Sequence, residues 1–457
     1  MIPSSGMKSV SRSVGAAGDA VERLLGTLML TVLLTTPACG GNDESADEHS
    51  TGLGGSGNPA GGSGGTNDTG GGGHQPADLG RASCDGLITD TDPHAMSALA
   101  RPQRAEAATD PEFSTRVVRV TDVASETGGE VIKPLYSTIQ AWNADESLLL
   151  LYEVGGGHRL YDGRSYDFVR ALRIDPPDLE QVYWHPHDPD ILFFARGNDL
   201  MQYSVSEDNA TAVHRFEGCG SVSGGADPMY ISWDGPAFGW LCERTSEAFV
   251  YHLDTDTESQ RVAASDLGPQ VAPSGDMVFL AGDVYDGSMT LVRSLDLDNP
   301  YDHASLGRLA DGHDTFNTVA FDPGPGGSAV GTLVTFDLTT GQDTVVIGPQ
   351  TGYPYPPSGT HISAVAHHAP GWVAVSVVGA VDGQDVLDNE LLLADTNTGG
   401  VCRIAHHRSH GKEGPQGYWA EPHASISPSG SRVVFGSDWG GGDTVDTYVV
   451  ELPSYAR

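Results

Sequence analysis

The sequence predicts an all-β fold, a seven-bladed β-propeller, over residues 113–457. Three observations predict it. A pattern of short apolar strands recurs every ~40 to 60 residues, which is a spacing found in propeller repeats. Turn-forming residues separate the strands of each repeat, and helical periodicity is nearly absent. Repeats of this length, built from short strands, are typical of propeller blades.

Each repeat has a short alternating strand, then a tight turn and a strongly apolar strand. The turns NAD, HPHD, WDG, PSG, DPG, HAPG and SPSG contain the residues that favour β-turns. The repeats begin at Ile139, Glu180, Met229, Pro269, Asn317, His361 and His423. The fifth repeat is irregular, so blade counts of six and eight are open alternatives.

A further strand, TRVVRVTDV, precedes the first repeat at residues 115–123. The last repeat supplies only three strands. If the early strand becomes the fourth strand of the last blade, the ring closes and no sheet edge is left open. We therefore predict that this N-terminal strand closes the ring.

Residues 1–39 have the order of a secretory signal with a lipobox. Lys8 and Arg12 precede the apolar run LLGTLMLTVLL, and TTPAC follows it. The run is shorter than the ~20 residues that a membrane span requires. The TTPAC segment resembles a bacterial lipobox, which implies lipidation of Cys39 and a membrane anchor. A plain signal peptide is the alternative.

The segment 40–112 is predicted to be a flexible, Gly-rich tether. Residues 40–80 almost lack large apolar side chains, so burial cannot offset the entropy lost on ordering. We expect an exported protein of the cell envelope, lipid-anchored, with its propeller held away from the membrane.

The charge of the chain limits its partners. The formal net charge is −37, from 61 acidic and 24 basic residues. Nucleic acid is excluded as a partner, because its binding depends on clustered lysine and arginine. Lysine occurs only at positions 8, 133 and 412, which leaves little room for Schiff-base chemistry. We expect a monomer that binds a glycan or a protein.

Four cysteines remain if Cys39 carries a lipid, and an even number suits an oxidising compartment. Cys219 and Cys242 flank one predicted hairpin, so we predict a disulfide between them. Cys84 with Cys402 is the remaining pair. No CxxC spacing occurs, which argues against a cysteine metal site.

Polar residues stand at the starts of the predicted innermost strands, which converge on the axial funnel of a propeller. The amides are predicted to bind a ligand there; they are Gln140, Gln181, Gln270 and Asn317. Alternatively, these side chains bond one another and channel water.

Three further residues at these strand starts are predicted to bind a metal. In Glu421-Pro422-His423 we expect the proline to keep the backbone extended, so that both ligands point to one side. His361 would come from the neighbouring blade. Imidazole and carboxylate ligands suit a divalent metal such as Mn²⁺ or Zn²⁺.

The last repeat, SISPSGSRVVFGSD, resembles the repeats of TolB-like propellers. The stretch before it is similar to the last blade of oligogalacturonate lyases, whose pattern is roughly Gln-x-x-His-Pro-His. His423 matches the second histidine, Glu421 replaces the first, and Tyr418 stands in place of the glutamine. This resemblance implies a seven-bladed propeller that uses Mn²⁺ to cleave pectic fragments, with His361 as the additional metal ligand.

A second resemblance concerns the segment GGGHRLYDG. Propeller-type ulvan lyases rely on histidine, tyrosine and arginine, and this segment offers His158, Arg159 and Tyr161. The resemblance implies catalytic roles for these three residues.

Two functions are therefore predicted. The first is a lipid-anchored propeller that binds a glycan or partner protein at its polar funnel, with or without a metal. The alternative is a metal-dependent polysaccharide lyase acting on uronate-containing oligosaccharides. Lyase chemistry requires a cation on the uronate carboxylate, a base for the C5 proton and a donor for the leaving oxygen.

Overall fold

The computed structural model of the chain describes residues 79–225, 230–265, 267–299, 303–354 and 359–456. These residues form seven antiparallel sheets, which confirms the predicted seven-bladed β-propeller. The described helical elements are short; they are the α-helix Val123–Glu126 and the 3₁₀ helices Pro349–Thr351, Gly411–Glu413 and Gly417–Ala420. None of the described helices is long and apolar enough to cross a membrane.

The first four blades follow one another along the chain. The first contains Ile132–Lys133, Leu148–Glu153, Gly157–Asp162 and Phe168–Ala171. The second contains Val182–Trp184, Ile191–Arg196, Asp199–Ser204 and Asn209–Arg215. The third contains Val222–Ser223, Ala237–Cys242, Glu247–His252, Thr257–Glu258 and Val262–Ala263. The fourth contains Gln270–Val271, Met277–Leu280, Asp283–Asp286 and Leu291–Ser294.

The last three blades complete the set. The fifth contains Ala304–Arg308, Asp314–Ala320, Gly331–Asp337 and Asp343–Ile347. The sixth contains Thr360–Ser363, Trp372–Val377, Glu390–Asp395 and Gly400–His406. The seventh contains Ser425–Ile426, Arg432–Ser437 and Asp446–Glu451, together with Arg116–Arg119 and Ala107–Thr109 from earlier in the chain.

The strand Arg116–Arg119 pairs antiparallel with Asp446–Glu451, so the early strand TRVVRVTDV contributes to the last blade. Val117 and Val118 are both buried, one on each face of the strand. Closure of the ring by the N-terminal strand requires this pairing. Closure itself stays a prediction.

Apolar side chains between neighbouring blades form the core. The second strands of the blades are apolar on both faces because each face packs against an adjacent blade. Phe193 of the second blade contacts Phe238 of the third, with ring centroids 5.0 Å apart. Phe279 of the fourth blade stacks on Phe316 of the fifth at 4.1 Å.

The innermost strand of the fifth blade differs from the prediction. It is Ala304–Arg308, whereas Asn317 lies on the second strand, Asp314–Ala320. The sequence ASLGR carries a single large apolar residue, so its pattern does not distinguish it from a loop. The prediction that Asn317 begins an innermost strand is therefore wrong.

The described cysteines form two disulfides, Cys219–Cys242 in the third blade and Cys84–Cys402. Both pairings are those that the sequence analysis named. Cys39 lies outside the described residues, as do the whole predicted signal segment and residues 40–78.

Residues 79–112 pack against the propeller, although the sequence analysis assigned them to the tether. They belong to the same compact unit as the blades. Ile88 forms an isolated β-bridge with Arg403 of the sixth blade. The strand Ala107–Thr109 adds a fifth strand to the sheet of the seventh blade. Hydrogen bonds and a disulfide hold this polar segment, so hydrophobic patterning does not reveal that it is ordered.

Asp446 anchors the N-terminal strand to the seventh blade. Its buried carboxylate accepts hydrogen bonds from Arg119 at 2.8 Å, from the Thr121 hydroxyl at 2.9 Å and from the Val123 amide at 2.8 Å. We expect Asp446→Ala to lower the free energy of unfolding by about 1–3 kcal/mol, because the buried Thr121 and Val123 donors lose their acceptor while Arg119 keeps Asp122 at 3.1 Å. Urea denaturation measures the change.

Asp167→Ala is the matched control. The side chain of Asp167 is 69% exposed, and its nearest arginine nitrogen, of Arg104, is 3.8 Å away. This variant should change the free energy of unfolding by about 0.5 kcal/mol or less. Equal effects of the two substitutions would contradict the anchoring role of Asp446.

Candidate metal centre

The three predicted metal ligands meet at one end of the innermost strands. His361 lies on Thr360–Ser363 of the sixth blade, and Glu421 and His423 precede Ser425–Ile426 of the seventh. One potential ligand atom from each residue lies within 4.8 Å of the others. Glu421 Oε2 is 3.6 Å from His361 Nε2 and 3.7 Å from His423 Nε2. These separations suit atoms that share one ion at ~2.0–2.2 Å. We call these three residues the metal centre.

The backbone of the Glu421-Pro422-His423 triplet differs from the predicted extended strand. Glu421 caps the 3₁₀ helix Gly417–Ala420 and is extended, as predicted, but His423 has a φ of +42°, in the left-handed region. The carbonyl of Pro422 accepts a hydrogen bond from the Gly436 amide at 2.9 Å. The two ligands converge through this turn and not through strand alternation. Such a conformation at a non-glycine residue occurs often at functional sites.

The metal centre is almost completely buried. The exposed fractions of His361, Glu421 and His423 are 1%, 3% and 0%. Burial lowers the pKa of both imidazoles well below its usual value, with a further contribution from neighbouring groups. Both rings are therefore neutral near pH 7, the form that binds metal.

His423 Nε2 fits a metal ligand. This buried atom has no hydrogen-bond partner among the described residues, although it faces Glu421 Oε2. A buried polar atom without a partner is costly, and an ion bound to it would remove that cost. The donor set of two imidazoles and one carboxylate suits Mn²⁺ or Zn²⁺.

Lys133 connects the first blade to the metal centre. Its buried Nζ donates to the Glu421 carbonyl at 2.9 Å and lies 3.1 Å from His423 Nδ1. Burial lowers the pKa of Lys133 to about 8. The sequence analysis noted only the scarcity of lysine; a single lysine inside the apolar stretch VIKPLY was the available signal.

The proton of the Lys133–His423 contact determines whether metal can bind. A charged ammonium donates to Nδ1 and leaves the ring proton of the neutral imidazole on Nε2. A neutral amine instead accepts a hydrogen bond from Nδ1–H, and the Nε2 lone pair is then available to a metal. Metal binding at Nε2 thus requires the neutral form of Lys133.

His303 is a residue that the sequence analysis missed. Its ring stacks on that of His361, with centroids 4.3 Å apart and planes 13° apart. His303 Nδ1 bonds to the Thr360 carbonyl, so Nδ1 carries the proton and Nε2 has the lone pair. Burial lowers its pKa, which keeps the ring neutral. His303 directly precedes the innermost strand of the fifth blade. Because the sequence analysis assigned that strand to other residues, it did not place His303 at a strand start.

Two tyrosines and a lysine surround the metal centre. The rings of Tyr136 and Tyr418 each lie 5.0 Å from that of His423, centroid to centroid. Lys412 Nζ lies 3.5 Å from Glu421 Oε1, and the lysine side chain is 59% exposed. The site thus has aromatic walls and a cation on its solvent side.

The residues His158, Arg159 and Tyr161 are not brought together as one group. All three lie on Gly157–Asp162, the third strand of the first blade, where His158 points to the opposite face from the other two. His158 Nε2 bonds to the Leu179 carbonyl at 2.7 Å. Arg159 donates to Glu153, and Tyr161 to Glu126.

The predicted ligand-binding amides lie in the protein interior. Gln140 donates to two backbone carbonyls, one near the sixth blade's innermost strand and one in the seventh's, both at 2.9 Å. Gln181 accepts a hydrogen bond from a third-blade amide at 2.9 Å. Asn317 donates to a carbonyl of the adjacent strand. Gln270 is buried on Gln270–Val271. These hydrogen bonds are to backbone groups and not between the amides themselves, so both the ligand-binding prediction and its alternative stay predictions.

A second cluster could also hold a cation. Ligand atoms of Asp110, Glu112 and His406 lie within 4.8 Å of one another. Arg408 Nη2, however, is 3.5 Å from Asp110 Oδ2 and 3.7 Å from Glu112 Oε2. The guanidinium thus contacts both carboxylates of this cluster. In the first cluster Lys412 contacts only Oε1 of Glu421, and Oε2 faces the two imidazoles, so the first cluster is the better candidate.

Solved structures share this fold. No protein-family model matches the chain, and no curated protein is similar to it in sequence. One similar structure is an oligogalacturonate lyase in complex with manganese, with a TM-score of 0.54 and 15% identity over 76% of this chain and 96% of the other. The chain shares the propeller fold of these lyases. Another, from Vibrio parahaemolyticus, has a TM-score of 0.56 and 14% identity over 77% of this chain and 97% of the other. At these identities the likeness establishes the fold alone.

We expect the purified protein to bind one equivalent of Mn²⁺ or Zn²⁺, measured by elemental analysis after dialysis. His423→Ala removes a ligand, so its metal affinity should fall by more than the roughly 100-fold that outer-shell changes cause. His406→Ala, in the second cluster, is the matched control and should retain the metal. Loss of metal from the control with retention in His423→Ala would contradict the assignment.

Metal binding should release up to one proton near pH 7. Burial lowers the pKa of Lys133 to about 8, so Lys133 must lose a proton there, whereas both histidines are already neutral. Burial raises the pKa of the neighbouring Glu180 to about 7, and this carboxylate takes up part of that proton once the lysine charge is gone. Metal affinity should therefore fall by up to about tenfold per pH unit below pH 8 and level off above it. Titration calorimetry in buffers of different ionisation enthalpy counts the protons.

Lys133→Met removes a hydrogen bond that holds the Glu421–His423 turn, so it should bind metal more weakly. The binding that remains should release less of this proton and depend less on pH between 6 and 8. Lys412→Met, the same substitution at an exposed site, should still release it. Proton release that persists in Lys133→Met would assign the titrating group elsewhere.

Proposed function

We propose that the protein is a metal-dependent polysaccharide lyase acting on uronate-containing oligosaccharides. The observation that carries the proposal is the convergence of the metal centre with His303, a neutral imidazole stacked on one of its ligands. The likeness to oligogalacturonate lyases, one of them in complex with manganese, supports it.

The metal centre would hold the ion through His361, Glu421 and His423. A bound divalent cation would offset the charge of the uronate carboxylate and make the neighbouring C5 proton more acidic. Tyr136 and Tyr418 flank the ligands and limit the access of water.

His303 is the base in this proposal. Its Nε2 lone pair accepts the C5 proton, while Nδ1–H stays bonded to the Thr360 carbonyl and holds the ring in place. The C5–H electrons form the C4–C5 double bond, and the C4–O bond breaks. The leaving oxygen takes a proton from water, and the hydroxide that forms receives the proton that His303 then releases. Products are an unsaturated uronate and a shortened oligosaccharide.

Lys412 is the proposed contact for the substrate carboxylate. Its ammonium group lies beside Glu421 and is largely exposed. In a chain with a net charge of −37, a local cation is needed to attract an anionic substrate. Lys412 meets this need on the solvent side of the metal centre.

A second candidate function is binding without cleavage. The near-complete burial of the three ligands favours it, because a buried ion can be purely structural. The funnel would then bind a glycan or a protein partner.

The proposed location is the cell envelope, reached by export and held by lipid on Cys39. The two disulfides support an oxidising compartment, since such bonds are rare in the cytosol. Neither candidate function depends on the anchor.

The test is incubation with oligogalacturonates and Mn²⁺ while the ultraviolet absorbance of the unsaturated product is followed. We expect product formation that a chelator abolishes. His303→Gln should lower kcat by about 10²–10⁴-fold, because it removes the base, and should retain the bound metal. Lys412→Gln should mainly raise KM.

Binding of oligogalacturonates without product would reject the lyase and favour the binding function. Equal kcat for wild type and His303→Gln would reject His303 as the base. The metal content of each variant, measured alongside, separates loss of the base from loss of the ion.

A further inference from the structure

A cleft lies where the seventh blade meets the first. Its volume is about 320 Å³, within the ~300–1,000 Å³ range of ligand sites. The seventh blade contributes Arg116 and Val118, and the hairpin that follows Gly157–Asp162 contributes Arg164, Ser165 and Tyr166. Tyr455, from the C-terminal segment, completes the wall. We call it the junction cleft; it shares no residue with the metal centre.

The charge of the junction cleft is opposite to that of the chain. Two arginines line it, and no carboxylate is among the described lining residues. Arg164 is exposed, and its guanidinium forms no hydrogen bond or salt bridge with the described residues. Arg116 uses Nε to bond Glu451 at 2.9 Å, and its side chain is 44% exposed. The cleft thus offers guanidinium groups to an anion in a protein with 61 acidic residues.

The carboxylates nearest the junction cleft are already bonded. Glu451 accepts hydrogen bonds from Arg116 and from the Tyr166 hydroxyl at 3.0 Å. Asp162 accepts from the backbone amides of Arg164 at 2.9 Å and Ser165 at 2.7 Å. These acidic groups hold the hairpin and the strand in place and leave the Arg164 guanidinium available.

The cleft also presents aromatic surface. The guanidinium of Arg432 lies 4.5 Å from the ring centroid of Tyr455, and this contact restricts the movement of the ring. Tyr455 is partly exposed and forms the aromatic wall, whereas the Tyr166 ring is buried beneath the cleft and fixed through its hydroxyl. Rigid aromatic walls with a few polar groups suit a ring-shaped ligand, and guanidinium suits a carboxylate.

We propose that the junction cleft binds a single carboxylate-bearing sugar ring, a hexuronate, at a second site separate from the metal centre. The two arginines contact the carboxylate, and Tyr455 contacts the ring. This site needs neither the metal nor catalysis, and it goes beyond the proposed lyase activity.

The experiment is titration calorimetry of the full chain with galacturonate in the presence of a chelator. We expect saturable binding, at least about tenfold weaker for galactose, which lacks the carboxylate, and for inorganic phosphate, which lacks the ring. Arg164→Gln should weaken galacturonate binding about tenfold or more by removing a charged contact.

Arg173→Gln is the matched control, since Arg173 follows the last strand of the same blade and its side chain is 87% exposed. This variant and His423→Ala should bind galacturonate as the wild type does. Unchanged binding by Arg164→Gln would overturn the proposal, as would equal affinity for galactose or phosphate. Loss of binding in His423→Ala alone would place the ligand at the metal centre and leave the lyase proposal intact.

Discussion

The buried amine of Lys133 is the contact on which the candidate site depends. It lies on the innermost strand of the first blade and bonds to two groups of the Glu421–His423 turn, a carbonyl and an imidazole. This turn contains a left-handed histidine, a conformation that has to be held by its surroundings. The hydrogen bonds of Lys133 help to stabilise this conformation. They also determine which ring nitrogen of His423 has a free lone pair.

Lys133 also links the site to the blade junction. The neighbouring Ile132 amide bonds to the Val445 carbonyl, and the Thr447 hydroxyl bonds to the Ile132 carbonyl. The strand that bears Lys133 is thus fixed to the seventh blade, next to where the N-terminal strand joins it. The geometry of the metal ligands therefore follows from how the first and last blades meet.

The sequence predicted the convergence of the three candidate ligands for identifiable reasons. His361, Glu421 and His423 stand at the starts of predicted innermost strands, and a propeller brings such positions together whatever their local backbone. It did not predict His303, because the strand ASLGR that follows lacks an apolar pattern. The left-handed turn at His423 could not be predicted either, since long-range contacts such as that with Lys133 hold it. The ordered packing of residues 79–112 was not predicted for the same reason, because a disulfide and hydrogen bonds to distant residues hold this segment.

The most direct test is a crystal structure of the protein soaked in Mn²⁺, with anomalous diffraction measured near the manganese absorption edge. The account predicts one strong anomalous peak about 2.0–2.2 Å from His361, Glu421 and His423, with Lys133 accepting a hydrogen bond from His423 Nδ1. A peak at Asp110, Glu112 and His406 instead, or no peak at the metal centre, would contradict it.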